Sequence, residues 1–382
     1  MTLLPDEAVN DTDREIIDRA RAWAHEVVAP MSETWERERR FASEAFTSAG
    51  EHGLTSLIVP TELGGAGMGS VALARVLEEI AAVDFAVAFS LVVHNNLVGA
   101  LARASASPLR DRVLQPMIAG ELLGAFLLTE PGVGSDAAAI ATTARRDGDE
   151  WVISGAKAWV SNAAAADVLS VYAQTDESLG HRGIAAFLLP ADTPGITREE
   201  PYELLGAHAI GTGGFTFDGC RVPAADMFVP VGQGFAAAMA GIDLARLLVA
   251  AMSCGMLRAG LEAATESVQN RQAFGGRVAD LQAVRFMLAD VATDLEASRL
   301  LTYRAARQIQ DGEHAAVAAA HAKKFATRSV EQRLTDCMQV MGANGARRDH
   351  PLPRHLAAAR LTHYVDGATE IQNVVIGRSL LD

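Results

Sequence analysis

Phe126-Leu127-Leu128-Thr129-Glu130-Pro131-Gly132-Val133-Gly134-Ser135-Asp136 reads as an apolar strand that runs directly into a polar, glycine-containing loop. Gly132 and Gly134 permit backbone dihedrals that other residues avoid, and Thr129 and Ser135 add hydroxyl donors. Such a loop can wrap a polar heterocycle or a pyrophosphate; it can equally be a tight β-turn. The sequence around it supplies a sheet to carry it. Between residues 124 and 234, Trp151-Val152-Ile153, Val168 to Tyr172, Ile184 to Leu189 and Phe215-Thr216-Phe217 are short β-prone runs. Asp147-Gly148-Asp149, Thr193-Pro194-Gly195 and Asp218-Gly219 punctuate them as turns. Residues 124–234 are therefore predicted to form a small antiparallel β domain, a barrel or sandwich.

Helical patterns lie on both sides. In residues 1–123, Asp11 and Asp13 are placed to cap a helix with Ile16, Ile17, Ala20, Trp23, Ala24 and Val27 on one side, and Pro30 is predicted to end it. Glu62-Leu63-Gly64-Gly65-Ala66-Gly67-Met68-Gly69 is a loop, after which Val71 to Val83 resumes helical periodicity. Its glycines do not have the G-x-G-x-x-G spacing and no βαβ pattern surrounds them, so it reads as a connector. In residues 235–382 the segments 235–270, 280–311, 313–341 and 367–380 are helical, broken at Gly275-Gly276, Asp311-Gly312 and His350-Pro351-Leu352-Pro353. Long amphipathic helices with short connections favour an antiparallel four-helix bundle. The predicted class is mainly α with a central β domain.

The 382 residues are 49% hydrophobic, enough for a large core, and carry a formal net charge of -14. A surface this acidic repels phosphate backbones and anionic lipid, which argues against nucleic acid and membrane partners. The start, MTLLPDEAVNDTDREII, lacks a basic region followed by an apolar stretch and does not read as a signal peptide. Phe85 to Ala102 is apolar but contains His94, Asn95 and Asn96, and reads as a buried helix rather than a membrane span. Cys220, Cys254 and Cys337 form no CxxC and suit reduced thiols, so a cytoplasmic location is expected. The histidines show no HExxH or paired ligand spacing, and no metal site is assigned.

Three further segments concentrate polar and small residues. In Ala158-Trp159-Val160-Ser161-Asn162, a Trp beside a hydroxyl can cover a flat ring system and bond its edge, although a Trp alone is more often core. Arg271-Gln272-Ala273-Phe274-Gly275, followed by Gln282, offers a guanidinium suited to phosphate; the plainer reading is a surface Arg and a glycine helix cap. Gln339-Val340-Met341-Gly342-Ala343-Asn344-Gly345 is a second helix end opening into small residues.

With these four segments in this order, the sequence resembles the acyl-CoA dehydrogenase family along essentially its whole length, through Ile376-Gly377-Arg378. Leu128 to Asp136 carries most of the likeness. Asp167-Val168-Leu169, Val171 to Asp176 and Gly241-Ile242-Asp243-Leu244 look most like the short, branched-chain, isovaleryl-type branch. The resemblance implies FAD bound non-covalently between the three parts. Phe126, Leu128, Thr129, Gly134 and Ser135 would hold the isoalloxazine, with Trp159, Val160 and Ser161 flanking it. Arg271, Gln282 and Gln339 would reach the FAD of a neighbouring subunit, and Phe274, Gly342, Ala368 and Glu370 would complete the cofactor set. That implies a homotetramer, or at least a dimer, with an electron-transferring flavoprotein as acceptor. Ser135, Asp243, Arg246, Asp366 and Gly367 would face the acyl-CoA substrate.

Dehydrogenation needs a carboxylate for the α-proton while the β-hydride leaves to flavin N5, and donors that polarise the thioester carbonyl. By the resemblance, Asp366 in Tyr364-Val365-Asp366-Gly367-Ala368 stands where most of the family has Glu. The isovaleryl branch places its base at the position of Ala245, so that alternative is absent. Asp is shorter than Glu by about 1.5 Å. Either the substrate is compact or alicyclic and sits close to the backbone, or the chain is a weakened relative; family members acting on cyclohexane-carboxylate thioesters carry Asp here. Ser161 for Thr, Leu127 for a small residue, Ala343 for Gly and Ala207-His208 for Met-Arg are lesser departures, and His208 reads as a surface residue. The activity implied is introduction of an α,β double bond into a short, branched or alicyclic acyl thioester. A carrier-protein-bound acyl group, a non-catalytic subunit of a hetero-oligomer and a flavin oxygenase are the alternatives.

Overall fold

The structure, a computed structural model, describes residues 9–381, so the chain's opening up to Ala8 lies outside the described residues. The first helix, α1 (Asp11–Trp23), is capped by Asn10 rather than by Asp11 or Asp13. The Asn10 side chain accepts from the Asp13 N–H at 2.8 Å, and the Asp13 carboxylate accepts from the Asn10 N–H in return. Pro30 does not end this helix. A π-helical turn at Ala24–Val28 passes the chain to α2 (Ala29–Glu38), where Pro30 sits in the first turn and its missing N–H costs little. There follow α3 (Ser43–Glu51), α4 (Ser70–Val83), α5 (Phe85–Arg103) and α6 (Pro108–Ile118). Asp84 starts α5 by accepting from the Ala86 and Val87 N–H groups.

By length and composition α5 and a later helix, Gly234–Asn270, are apolar enough to cross a membrane, but 78% of the apolar window of α5 is buried inside the molecule. Two of its polar side chains are held there by partners from neighbouring segments. His94 bonds the Met117 carbonyl at 3.0 Å and accepts from the Gly124 N–H at 3.1 Å, and Asn95 spans to the Leu54 carbonyl and the Leu57 N–H.

The central sheet comprises β1 (Gly124–Leu127), β2 (Thr143–Asp147), β3 (Glu150–Val160), β4 (Val168–Gln174), β5 (Ile184–Pro190), β6 (Ile196–Arg198), β7 (Gly213–Pro223) and β8 (Met227–Val229). Their order is β6-β7-β3-β2-β4-β5-β8, with β1 joined to β4. The sheet is mixed, not purely antiparallel. β1 runs parallel to β4, pairing Gly124–Leu127 with Val168–Val171, and β2 meets β4 in parallel at Thr143 and Gln174. The chain between β1 and β4 is long enough to return to the same end of the sheet, which no two-residue hairpin allows. β4 is buried along its whole length. Val168 and Leu188 pack against Leu97, Leu114 and Met117 of the N-terminal helices, while Leu169, Val171 and Phe187 join the interior of the sheet.

Beyond the sheet come α7 (Gly234–Asn270), a small hairpin of β9 (Gln272–Ala273) and β10 (Gly276–Arg277), then α8 (Gln282–Gln310), α9 (Ala316–Met341), α10 (Leu352–Thr362) and α11 (Thr369–Leu381). The stretch read as a break at His350–Pro353 is the start of α10: Pro351 and Pro353 stand at its N-terminus, where prolines favour a helix. α7, α8 and α9 pack together, and α10 and α11 lie on α9. α4 lies across α7 at Gly255, where a Cβ would come within 2.2 Å of the Glu78 carbonyl oxygen, so only glycine lets the two helices meet. The architecture is mainly helical with a central sheet, as the sequence predicts.

Candidate active site

The loop leaving β1 is anchored from beneath. Lys157, fully buried on β3, donates to the Leu128 carbonyl at 2.9 Å and to Glu130 Oε1 at 2.8 Å. Glu130 also accepts from the Ala141 N–H at 2.7 Å and the Thr142 N–H at 2.9 Å, and the Thr129 carbonyl accepts from Ala158. Burial works to raise the Glu130 pKa, but the Lys157 charge and these N–H groups hold it below the usual value. Burial brings Lys157 down to about 8 against the pull of Glu130. Thr129 is therefore gripped on both flanks, while Gly134 and Ser135 are exposed and the space beside Gly132 and Gly134 is open.

At the end of β3 the register slips between Lys157 and Val160, and Trp159 takes φ 56. A left-handed Trp is a strained conformation that needs support. The result is an indole ring 61% exposed, braced edge-on by Tyr202 at 4.9 Å between centroids. Val160 is buried and Ser161 partly so. Next to them Asn162 donates to the Ser90 and Gly124 carbonyls, tying the strand end to α5 and β1. A rigid loop with free hydroxyls beside a displayed flat ring suits a planar polar heterocycle. Phe126 and Leu128 share an apolar cluster with Tyr172, Phe235, Met239 and Ile242, so the first turns of α7 pack beneath this loop.

Asp243 follows on α7, and the structure joins it to the turn between α10 and α11. Its Oδ1 accepts from Arg246 Nη1 at 2.7 Å, and Arg246 Nε donates to the Asp366 carbonyl at 3.2 Å. Lys323 Nζ and Gln372 Nε2 both donate to the Gly367 carbonyl, the latter at 2.9 Å. Asp366 and Gly367 are consecutive left-handed residues, φ 51 and 92. The positive φ at residue 367 favours glycine, and a Cβ there would also crowd the Arg246 guanidinium and the Gln372 amide at 3.2 Å. Asp366 Oδ2 is buried without a hydrogen-bond partner. Burial pushes the Asp366 carboxyl up to about 6, with Lys323 and then Arg246 acting in the opposite direction. Burial likewise raises the Asp243 pKa against Arg246. A carboxylate in this state can take a proton near neutral pH. Ala368 accepts from Ile371 at the start of α11, and Glu370 is exposed there.

The remaining sequence candidates form a separate, outward-facing group. Arg271 donates to the Met341 carbonyl at 3.3 Å, beside Gly342 and the exposed Gln339. Phe274, at φ 52 on the tip of the β9–β10 hairpin, is 94% exposed, and Gln282 is exposed at the first position of α8. His208 is not a surface residue: its side chain is 8% exposed, and both its N–H and its Nδ1 bond the Glu36 carboxylate of α2. Sequence reading also passed over Lys157, Lys323 and Tyr202. Lys157 carried a signal, because it falls among the alternating inward positions of a β-prone run; Lys323, beside Lys324, carried none.

Three family matches cover most of the chain. They are the acyl-CoA dehydrogenase N-terminal domain over residues 10–121, the middle domain over 125–220 and the C-terminal domain over 232–381. The chain belongs to the acyl-CoA dehydrogenase family. This acyl-CoA dehydrogenase family member is thus an oxidoreductase of the class acting on CH–CH groups. It is 37% identical over 372 residues to the mitochondrial short-chain specific acyl-CoA dehydrogenase of Bos taurus, covering 97% of this chain and 90% of the relative. Butyryl-CoA dehydrogenase from Megasphaera elsdenii superposes with a TM-score of 0.94 at 31% identity, covering 100% of both chains. A glutaryl-CoA dehydrogenase from Mycobacterium smegmatis, solved in complex with FADH2, gives a TM-score of 0.92 at 26% identity, covering 99% of this chain and 96% of that one.

Proposed function

We propose that this protein is an FAD-dependent dehydrogenase that introduces an α,β double bond into a short, branched or alicyclic acyl-CoA, with Asp366 as the base. The observation that carries this reading is the partly buried Asp366 carboxylate, whose Oδ2 is buried without a partner and whose pKa is pushed up to about 6, at the end of a turn held by Arg246, Lys323 and Gln372. The Phe126–Ser135 loop with Trp159, Val160 and Ser161 would hold FAD, which would supply the acceptor for the β-hydride. Asp366 takes the α-proton on its free carboxylate oxygen, and the Asp366 backbone N–H polarises the thioester carbonyl. Arg246, fixed by Asp243, keeps the turn from swinging away from the substrate. The FADH2-bound relative and the displayed Trp159 support the flavin; the short-chain and butyryl-CoA relatives support a short acyl group.

The missing methylene of Asp narrows the substrate. A carboxylate set back by about 1.5 Å reaches only an α-carbon held close, and a misplacement of roughly 1 Å can cost on the order of a hundredfold in rate. We therefore place compact branched and alicyclic acyl groups ahead of straight chains. We further assign Arg271, Phe274, Gln282, Gln339 and Gly342 to the FAD of a neighbouring subunit in a homotetramer, with an electron-transferring flavoprotein as acceptor and the cytoplasm as its location. The test is a dye-linked assay on a panel of straight, branched and alicyclic acyl-CoAs, with Asp366→Asn beside the wild type. Turnover is expected for the wild type, fastest on compact substrates, and a loss of about a hundred- to ten-thousandfold in the variant, the range that losing a general base costs. Equal rates for the two proteins would remove Asp366 from the mechanism.

A further inference from the structure

Lys323 is 1% exposed in the interior of α9, on the same stripe as Ala319, Ala326 and Val330. A buried ammonium is costly unless paired, yet its one hydrogen bond among the described residues goes to the neutral Gly367 carbonyl. Among the described residues no carboxylate lies within ion-pair distance of it, whereas Arg246, the other cation at this turn, is already paired with Asp243. One residue before Gly367 stands a buried carboxylate whose Oδ2 has no hydrogen-bond partner. The turn thus holds one cation without a counter-ion and one anion without a donor.

The charged and titratable groups around the turn are few. α7 contributes Asp243 and Arg246, and His314 precedes α9 within reach of Asp243. α9 contributes Lys323 and Glu331, the latter engaged by His363 from the end of α10. On α11, Glu370 is exposed and Gln372 is neutral.

We infer that Lys323 is a positioning residue for the base: its ammonium holds the left-handed Asp366–Gly367 turn through the Gly367 carbonyl and keeps the buried Asp366 carboxylate ionised by its charge. This rests on the reading of Asp366 as the base. The two titrations are reciprocal, as such a coupling requires. Burial lowers Lys323 to about 8 with Asp366 opposing, and Lys323 is the larger of the two cationic influences on Asp366. An opposite charge at short range lowers a carboxyl pKa by about 1–3 units, so its loss moves the base out of its working range.

The test compares FAD-loaded wild type, Lys323→Met, Lys323→Gln and Lys323→Arg by two readouts. In stopped-flow reduction of the flavin by butyryl-CoA, the acid limb of the pH profile is expected to rise by about 1 unit or more in Lys323→Met, and to return in Lys323→Arg. Lys323→Gln keeps a donor for Gly367 without the charge, and is expected to shift the limb while keeping more of the rate at high pH than Lys323→Met. The second readout needs no turnover: isotope-edited infrared titration of the aspartate carboxyls, with Asp366→Asn assigning the band. The Asp366 titration is expected to move up in Lys323→Met and Lys323→Gln. An unchanged Asp366 titration in both would overturn the inference. Failure of the wild type to reduce its flavin with any acyl-CoA, together with a shifted Asp366 titration, would instead overturn the dehydrogenase reading and leave the coupling in place.

Discussion

At Asp366 the requirements of folding and of chemistry oppose each other. Aspartate tolerates the left-handed region better than most residues, so the turn at φ 51 is accessible to it. Its carboxylate is nonetheless more costly inside the protein than in the unfolded chain. A folded pKa near 6 against an ordinary value of 3.8 means the native state binds the proton more tightly than the unfolded state. Stability therefore falls as pH rises from about 4 to about 6 and stays lowered above that, by at most about 3 kcal/mol from this one group. Asp366→Asn lacks the titration. Urea denaturation of the FAD-loaded proteins is expected to show the variant gaining on the wild type between pH 4.5 and pH 7.5, while its turnover is lost. A stability difference independent of pH would show that the carboxyl does not titrate in this range. Asp366 was legible because its neighbours Tyr364 to Gln372 form a recognisable run. Lys323 was not, because a lysine beside Lys324 in an alanine-rich helix looks like any solvated charge until its stripe partners are seen to be buried.

The elements that carry the site differ in how openly the sequence declares them. The strands β3, β4, β5 and β7 announce themselves by β-branched and aromatic runs, but strand direction has no compositional mark, which is why the parallel pairing of β1 with β4 was invisible. The prolines that looked like a break at His350–Pro353 and an end at Pro30 both stand in first turns, where a missing N–H is harmless. The loop after β1 was legible as a polar glycine-containing turn; its foundation was not. Lys157 and Glu130 bury an ion pair under that loop, and removing one partner of such a pair typically costs about 3–5 kcal/mol because the other is left uncompensated. The damage falls on the loop, since Lys157 also holds the Leu128 carbonyl. Lys157→Met is expected to weaken FAD binding by at least tenfold, measured by the recovery of flavin fluorescence on dilution. The double variant Lys157→Met, Glu130→Gln should recover part of that loss, because it removes the orphaned charge. Retention of FAD equal to wild type in the single variant would show that the loop stands without this pair.

Across the whole molecule, charge binds the two helical parts into one frame around the sheet. Glu78 of α4 accepts from Arg299 and from the Tyr303 hydroxyl of α8, and Glu79 takes Arg21 of α1 and Arg258 of α7. This frame fixes α7, and α7 in turn links the loop beneath Phe126 and Leu128 to Arg246 at the base. The loop after β1 and the Asp366 turn are thus tied together within one chain. The outward group is the part assigned above, by proposal, to a neighbouring subunit. Phe274 and Phe286 are large apolar rings left 94% and 62% exposed, near Arg271 and Gln282 in the sequence, and a neighbouring subunit at this face would cover them. If these residues complete the FAD site of a neighbouring subunit, cofactor loss and subunit dissociation are one linked equilibrium, and each must depend on the concentration of the other. Serial dilution of the holoenzyme, followed by flavin fluorescence and by analytical ultracentrifugation, is expected to give coincident midpoints. Phe274→Asp should move both midpoints to higher protein concentration together, with the Asp366 turn untouched. FAD retained on a protein diluted to monomers would separate the two events and confine the cofactor to the residues of a single chain.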